Sequence, residues 1–172
     1  MNSTFGTGRA EEARPAGSDT APDTTAGDGA GFRPLAGLRV VDLSQVLAGP
    51  FATYQLALLG AEVLKIESIG SGDLSRLFGP HVGDESAYAL MLNRGKESIA
   101  IDLKADADRA IFEDLLDKAD VLVENYRPGT MEKLSYGWDT LHPRYPRLIY
   151  AACSGFGHSG PESRRPAYDL VV

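Results

Sequence analysis

The stretch Pro34 to Glu67, PLAGLRVVDLSQVLAGPFATYQLALLGAEVLKIE, decides the fold. Leu38 to Leu43 (LRVVDL) is a short apolar run with β-branched residues, which predicts a buried strand. Pro50 to Leu59 predicts a helix, since proline suits the first helical turn and Gly60 suits the stop. Glu62 to Glu67 (EVLKIE) predicts a second strand. Between the first strand and the helix lies the turn Asp42 to Pro50, and ligands of α/β sheets sit beyond the carboxyl ends of strands.

The alternation continues down the chain. Ser86 to Leu92 predicts a short helix and Ser98 to Leu103 (SIAIDL) a third strand. Ala105 to Ala119 sets Ile111, Leu115 and Leu116 among charges, the pattern of an amphipathic helix. Asp120 to Glu124 (DVLVE) predicts a fourth strand, Thr130 to Leu134 and Trp138 to His142 short helices, and Arg147 to Cys153 (RLIYAAC) a fifth strand. Gly70 to Gly83 and Ser154 to Pro161 are glycine-rich loops. Strands alternating with helices imply parallel pairing with right-handed crossovers, so the expected class is α/β, a Rossmann-like doubly wound parallel sheet. The candidate site loops are then Ser44 to Gly49, Ser68 to Asp73, Asn125 to Gly129 and Gly155 to Gly160.

Two parts are expected: a tail over 1–33 and a domain over 34–172. The tail contains no Ile, Leu or Val, and its only aromatics are Phe5 and Phe32. Such a segment cannot bury enough apolar surface to offset its ordering entropy, so disorder is expected. It has no apolar h-region, and Glu11, Glu12, Asp19, Asp23 and Asp28 outnumber Arg9, Arg14 and Arg33, which argues against a secretory signal or organelle presequence. The net charge of −7 argues against nucleic acid as a partner, and no apolar run approaches a membrane span. The single cysteine, Cys153, excludes an intramolecular disulfide and a cysteine-based metal cluster. A cytoplasmic setting is expected.

The first strand–turn–helix unit invites a dinucleotide reading, with Glu67 as the acid for a ribose. The turn lacks G-x-G-x-x-G, however. Only Gly49 is present, and Pro50 removes a backbone donor at the helix start. The helix N-terminus can still attract an anion. Neither Ser154 nor Ser159 lies in G-x-S-x-G, which argues against a serine hydrolase. His81, His142 and His158 lack metal-ligand spacing and read as solvated loop or helix-end residues, so no metal is expected. Cys153 directly follows a strand and reads as a small buried residue. Arg76, Arg94, Lys96, Lys104 and Lys133 border glycine-rich or strand-end loops. They are either surface charge or the partners of a phosphorylated ligand.

The opening stretch resembles that of the class III CoA-transferases, the family of formyl-CoA transferase, carnitine CoA-transferase and α-methylacyl-CoA racemase. The resemblance continues through GSGDLSR (Gly70–Arg76), ESAYALMLNRGKESIAIDLK (Glu85–Lys104), ADVLVENYRPGTMEKLSYGWDTL (Ala119–Leu141), PRLIYAACSGFGHSGP (Pro146–Pro161) and RPAYDLVV (Arg165–Val172). It implies transfer of coenzyme A between an acyl-CoA and a carboxylic acid. Carried over residue by residue, it implies coenzyme A contacts at Gln45, Val46, Leu47 and Ala48, at Ile101 and Lys104, and at Asn125, Tyr126 and Lys133. Backbone groups of the first turn would take the adenine edge, Lys104 and Lys133 would neutralise phosphates, and the Tyr126 ring would cover the base or the pantetheine arm. The resemblance also implies that an aspartate attacks the thioester, passing through a mixed anhydride and an aspartyl-CoA thioester. Backbone donors of glycine-rich loops would stabilise the oxyanions.

The chain departs from the family pattern in three places. Ser68 stands where an arginine can follow the second-strand acid. Tyr168 stands where the racemase branch carries a catalytic histidine, which favours transfer over racemisation. The family's nucleophilic aspartate is expected beyond Val172. Asp169 aligns elsewhere and is expected to cap or orient the next segment. The resemblance therefore covers the N-terminal part of an incomplete large domain, and the family's assembly is an interlocked homodimer. The other expected roles are half of a split enzyme or a non-catalytic remnant that binds coenzyme A.

Overall fold

The structure, a computed structural model, describes residues 31–167. Most of the expected tail, together with Tyr168 and Asp169, lies outside the described residues. The elements run β1 (Arg39–Asp42), α1 (Ala48–Leu58), β2 (Glu62–Glu67), a 3-10 turn (Leu74–Leu77), β3 (His81–Val82), β4 (Glu85–Ser86), α2 (Ala87–Asn93), β5 (Glu97–Ala100), α3 (Asp106–Lys118), β6 (Val121–Glu124), α4 (Thr130–Lys133), α5 (Trp138–Arg144) and β7 (Ile149–Ala152). Arg33 already belongs to the fold: its guanidinium donates to the Gly60 carbonyl at 3.3 Å. No helix among the described residues is long and apolar enough to cross a membrane.

Five strands form one sheet in the order β5-β2-β1-β6-β7, every pair parallel. The chain moves outward from β1 to β2 to β5, then jumps back across to β6 and β7. With right-handed crossovers, that reversal puts α1 and α2 on one face and α3 on the other. The point of reversal lies between β1 and β6. There a doubly wound sheet opens a crevice at its carboxyl edge.

The core follows from strand alternation. On the α1 face, Val40, Val63, Val121 and Val123 pack with Ala61, and with Leu56 and Ala57 of α1. On the α3 side, Phe112 and Leu116 are fully buried, and Phe112 meets the ring of Tyr136 edge-on at 4.9 Å. Apolar burial of this kind supplies the main folding drive.

Three of the differences from the sequence expectation bear on the site. Helix α1 begins at Ala48, two residues before Pro50, because the first helical N–H groups have no intrahelical partner and proline costs little there. Strand β5 leaves the sheet after Ala100 rather than Leu103. Asp102 turns the chain away: its Oδ1 accepts from the Lys104 N–H at 3.0 Å, and its own N–H donates to Asp108 Oδ2 at 2.7 Å. The loop 70–83 contains the 3-10 turn, capped by Asp73 through the Ser75 N–H at 2.8 Å, and runs into the β3–β4 hairpin, whose second strand takes Ser86 from the start of the expected helix. The helix stop at Gly60 is as expected, with φ +100°.

Gly49 shows how tightly the first turn packs. A Cβ there would stand 2.2 Å from Ser44 Cβ and 2.5 Å from Ser44 Oγ. Neither neighbour can retreat, because Ser44 is itself buried and bonded to Asp42. Gly49→Ala is expected to cost roughly 1–3 kcal/mol through overpacking. Chemical denaturation measures it; an unchanged midpoint would contradict the packing described.

Candidate functional site

The crevice is built around the turn that follows β1. Asn125, just past β6, fastens this turn across the reversal point. Its side-chain Oδ1 accepts from the Gln45 N–H at 2.8 Å, and its Nδ2 donates to the Gln45 carbonyl at 2.7 Å. The amide thus pairs with Gln45 as a neighbouring strand would. Val46 follows with φ +70°, a left-handed conformation that is costly for a β-branched residue. Its N–H donates to Asp73 Oδ1 at 3.1 Å.

Beneath this turn lies a layer of buried charge. Asp42 is fully buried and accepts from the Ser44 N–H (2.9 Å), the Ser44 hydroxyl, the Thr53 hydroxyl (2.6 Å) and the Lys96 ammonium (3.0 Å). Lys96 also donates to the Pro50 carbonyl, Thr53 Oγ1 and Asn93 Oδ1. Burial pushes the Lys96 ammonium below the usual lysine range, and Asp42 only partly offsets this. Beside it, Lys65 pairs with Asp73 at 2.8 Å, both side chains 1% exposed, and donates to the Ser44 carbonyl at 2.6 Å. Burial pushes the Asp73 carboxyl up, but Lys65 and the N–H groups of Ser75 and Val46 outweigh it and hold the carboxyl below its usual range.

Glu67 at the end of β2 is also fully engaged. Arg76 grips both its oxygens at 2.6 and 2.7 Å, Ser98 donates at 2.7 Å and the Asp73 N–H at 2.9 Å. The Arg76 bonds, working against burial, draw its carboxyl down to about 2. Glu67 is therefore not a free acid for a ribose, as the dinucleotide reading required. Arg76 and Lys96 are likewise corrected as candidate phosphate partners, because each neutralises a carboxylate of its own chain.

On the other side of the turn, beyond the carboxyl ends of the strands, is a cavity of about 370 Å³. Leu43, Ile66, Ile101 and Leu103 give it an apolar floor, and Lys104, Ser68 and Tyr126 bring polar groups to it. Burial pushes the Tyr126 phenol up. The Tyr126 N–H donates to Glu124 Oε2 at 2.7 Å, and burial raises the Glu124 carboxyl. Lys133 does not line the cavity, although Thr130 and Leu134 on either side of it do. Arg109 ties these two walls together by donating to the Leu103 carbonyl at 3.1 Å and the Leu134 carbonyl at 2.9 Å.

Of the residues singled out in the sequence, Ile101, Lys104 and Tyr126 meet at this cavity. Gln45 and Asn125 are joined to each other at its side. The backbone of the first turn is less available than expected, since the Gln45 and Val46 N–H groups already have partners. Leu47 and Ala48 stand exposed at the start of α1, which has no side-chain cap. His81, His142 and His158 are exposed, and His142 stacks on Trp138 at 4.3 Å. Cys153 is half-buried, and burial pushes its thiol up. Sequence reasoning missed Asp42, Lys65, Asp73 and Arg109. A visible signal existed for two of them: Asp42 ends an apolar strand, and Lys65 sits between Leu64 and Ile66 in another.

A five-stranded parallel α/β sheet with its crevice at the β1–β6 reversal places the chain among doubly wound ligand-binding folds. Comparison with known proteins is more specific. The family model of CoA-transferase family III matches residues 35–172, and the chain belongs to that family. It is 53% identical over 139 residues to acetyl-CoA:oxalate CoA-transferase of Acetobacter aceti, a match covering 81% of this chain and 36% of that protein. It is 44% identical over 142 residues to human succinyl-CoA:glutarate CoA-transferase, covering 82% and 32%. The crystal structure of a CAIB/BAIF family protein from Brucella suis superposes with a TM-score of 0.75 at 40% identity, covering 80% of this chain and 38% of that one. The chain thus spans roughly a third of the length of the relatives it matches.

The Glu67 cluster predicts an acid-sensitive component of stability. Its carboxyl titrates at about 2 in the fold against a usual 4.5, so the unfolded chain binds the proton more readily. The stabilisation is whole above pH 4.5 and is lost as pH falls from there towards 2. With Arg76 part-exposed, it amounts to about 2 kcal/mol. Thermal midpoints across this range are expected to converge for the parent and Glu67→Gln as pH drops. Parallel curves would show that the pair contributes nothing.

Proposed function

We propose that this domain holds the coenzyme A moiety of an acyl-CoA for transfer of the coenzyme to a carboxylic acid. The observation that carries the reading is the cavity at the carboxyl edge, where Ile101, Lys104 and Tyr126 meet beside the reversal point. An apolar floor suits the pantetheine arm and the base. Lys104, with Lys133 nearby, suits the phosphates. The exposed start of α1 at Leu47 and Ala48 offers N–H groups and the positive end of a helix dipole to an anion. Asn125 contributes by fixing Gln45, its own amide being engaged on both sides.

The chemistry proposed is the family pattern: a carboxylate nucleophile attacks the thioester to give a mixed anhydride and free thiolate. The thiolate attacks the nucleophile's own carbonyl to form an enzyme thioester and free the donor acid. The acceptor carboxylate then displaces the thiolate into a second anhydride, whose acceptor carbonyl the thiolate attacks to leave as the new CoA thioester and restore the nucleophile. The domain's part in that sequence is to bind and orient the thioester. The two relatives named above pair a CoA thioester with oxalate and with glutarate, which supports a dicarboxylic acid as the acceptor class. The same chain is proposed to work in the family's interlocked dimer.

Calorimetric titration with CoA, using NAD as the control ligand, tests the reading. Saturable CoA uptake is expected, weakened about tenfold by Lys104→Ala and by Tyr126→Ala, the loss of one charge-assisted contact or one stacked ring. NAD uptake without a response to CoA would replace this reading with a general nucleotide-binding one.

A further inference from the structure

Asp73 sits outside the cavity, yet its carboxylate touches the first turn itself, the 3-10 turn and the β2 lysine beneath them. Oδ1 accepts from the Val46 N–H at 3.1 Å and from the Ser75 N–H at 2.8 Å. Oδ2 faces the Lys65 ammonium at 2.8 Å, and that ammonium donates to the Ser44 carbonyl at 2.6 Å. The Asp73 N–H is in turn held by Glu67 at 2.9 Å, which fastens the loop carrying Ser68 and Ile69, two residues of the cavity wall. Val46, the residue at the centre of this grip, is the one with φ +70°. A valine does not stay in that region without contacts that over-determine it.

We propose that Asp73 is a positioning residue, whose charge-paired carboxylate keeps the Val46 turn in its left-handed form and so sets the affinity for the CoA thioester. This inference rests on the CoA-binding reading above. The requirement is for a carboxylate rather than any polar group. Oδ1 accepts from two backbone N–H groups, and Oδ2, which makes no hydrogen bond, carries the charge that the Lys65 ammonium pairs with at 2.8 Å. An amide has one acceptor and no charge, so whichever way it points, its NH2 group faces either the two N–H donors or the Lys65 ammonium, and that ammonium loses its counter-charge. Glycine at position 46 would adopt the same backbone conformation freely and would not need the grip.

The test is a double-mutant cycle of Asp73→Asn with Val46→Gly. CoA dissociation constants come from calorimetry, and amide hydrogen exchange at residue 46 is followed without ligand. Asp73→Asn is expected to speed exchange of the Val46 amide and to weaken CoA binding about tenfold, but by less than about threefold when Val46→Gly is already present. An equal loss in both backgrounds would show that Asp73 serves the fold at large, and would overturn the proposal. So would unchanged affinity with a still-protected Val46 amide. Should Asp73→Asn leave Lys65 too poorly compensated to fold, the pair Lys65→Met with Asp73→Asn removes both charges and enters the same cycle. If the unaltered chain takes up no CoA, the functional reading fails, while exchange at Val46 still decides whether Asp73 holds the turn.

Discussion

Four buried charges at the carboxyl edge of the sheet hold the rest in place: Asp42 with Lys96, and Lys65 with Asp73. Asp42 and Lys65 are register partners on β1 and β2, yet each takes its closest ion pair from a loop, Lys65 from Asp73 ahead of the 3-10 turn and Asp42 from Lys96 just ahead of β5. The four signs alternate and cancel. A buried ion pair adds little net stability over an apolar pair of the same shape, but an orphaned partner costs about 3–5 kcal/mol. The layer therefore acts as a constraint. Any arrangement of the loops that leaves one member unmatched is strongly disfavoured, so the segments supplying Asp73 and Lys96 are fixed relative to β1 and β2.

That constraint takes over a task that glycines perform in dinucleotide-binding folds. A G-x-G-x-x-G turn approaches a phosphate closely because its residues lack side chains. Here only Gly49 is retained, and its missing Cβ makes room for Ser44 inside the protein. The turn is shaped from below by Asp42, Lys65 and Asp73, and from the side by the Asn125 amide. A turn fixed in this way needs little reorganisation on meeting a ligand, which lowers the ordering cost of binding.

The order of strands and helices was legible in the sequence because apolar runs and helical periodicity are local signals. Four of the five sheet strands fall within their expected segments, β2 with the expected bounds, while β5 starts one residue early and ends three residues short. The end of β5 was not legible: IDL (Ile101–Leu103) reads on from an apolar strand, and only the Asp102 turn, closed by Asp108 six residues later, takes the chain out of the sheet. The site was legible in part. Resemblance pointed to Ile101, Lys104 and Tyr126, which do converge. Spacing could not reveal that Arg76 and Lys96 are consumed internally, because their carboxylates, Glu67 and Asp42, lie 9 and 54 residues away. Basic residues near glycine-rich loops look alike until the partner of each is known.

The lock and the cavity are interleaved on the same strands. Asp42 faces α1 and joins the charged layer, while Leu43 beside it floors the cavity. Lys65 and Ile66 repeat the arrangement on β2. Because successive side chains point to opposite faces, a one-residue slip of either strand would turn a charge into the cavity floor and a leucine or isoleucine into the ionic layer. Both errors are expensive, the first through desolvation and the second through orphaned partners. Register, turn geometry and cavity lining are thus set by a single alternation, Asp-Leu in one strand and Lys-Ile in the next. This is why Asp42 and Lys65 stand beside the buried apolar residues of their strands.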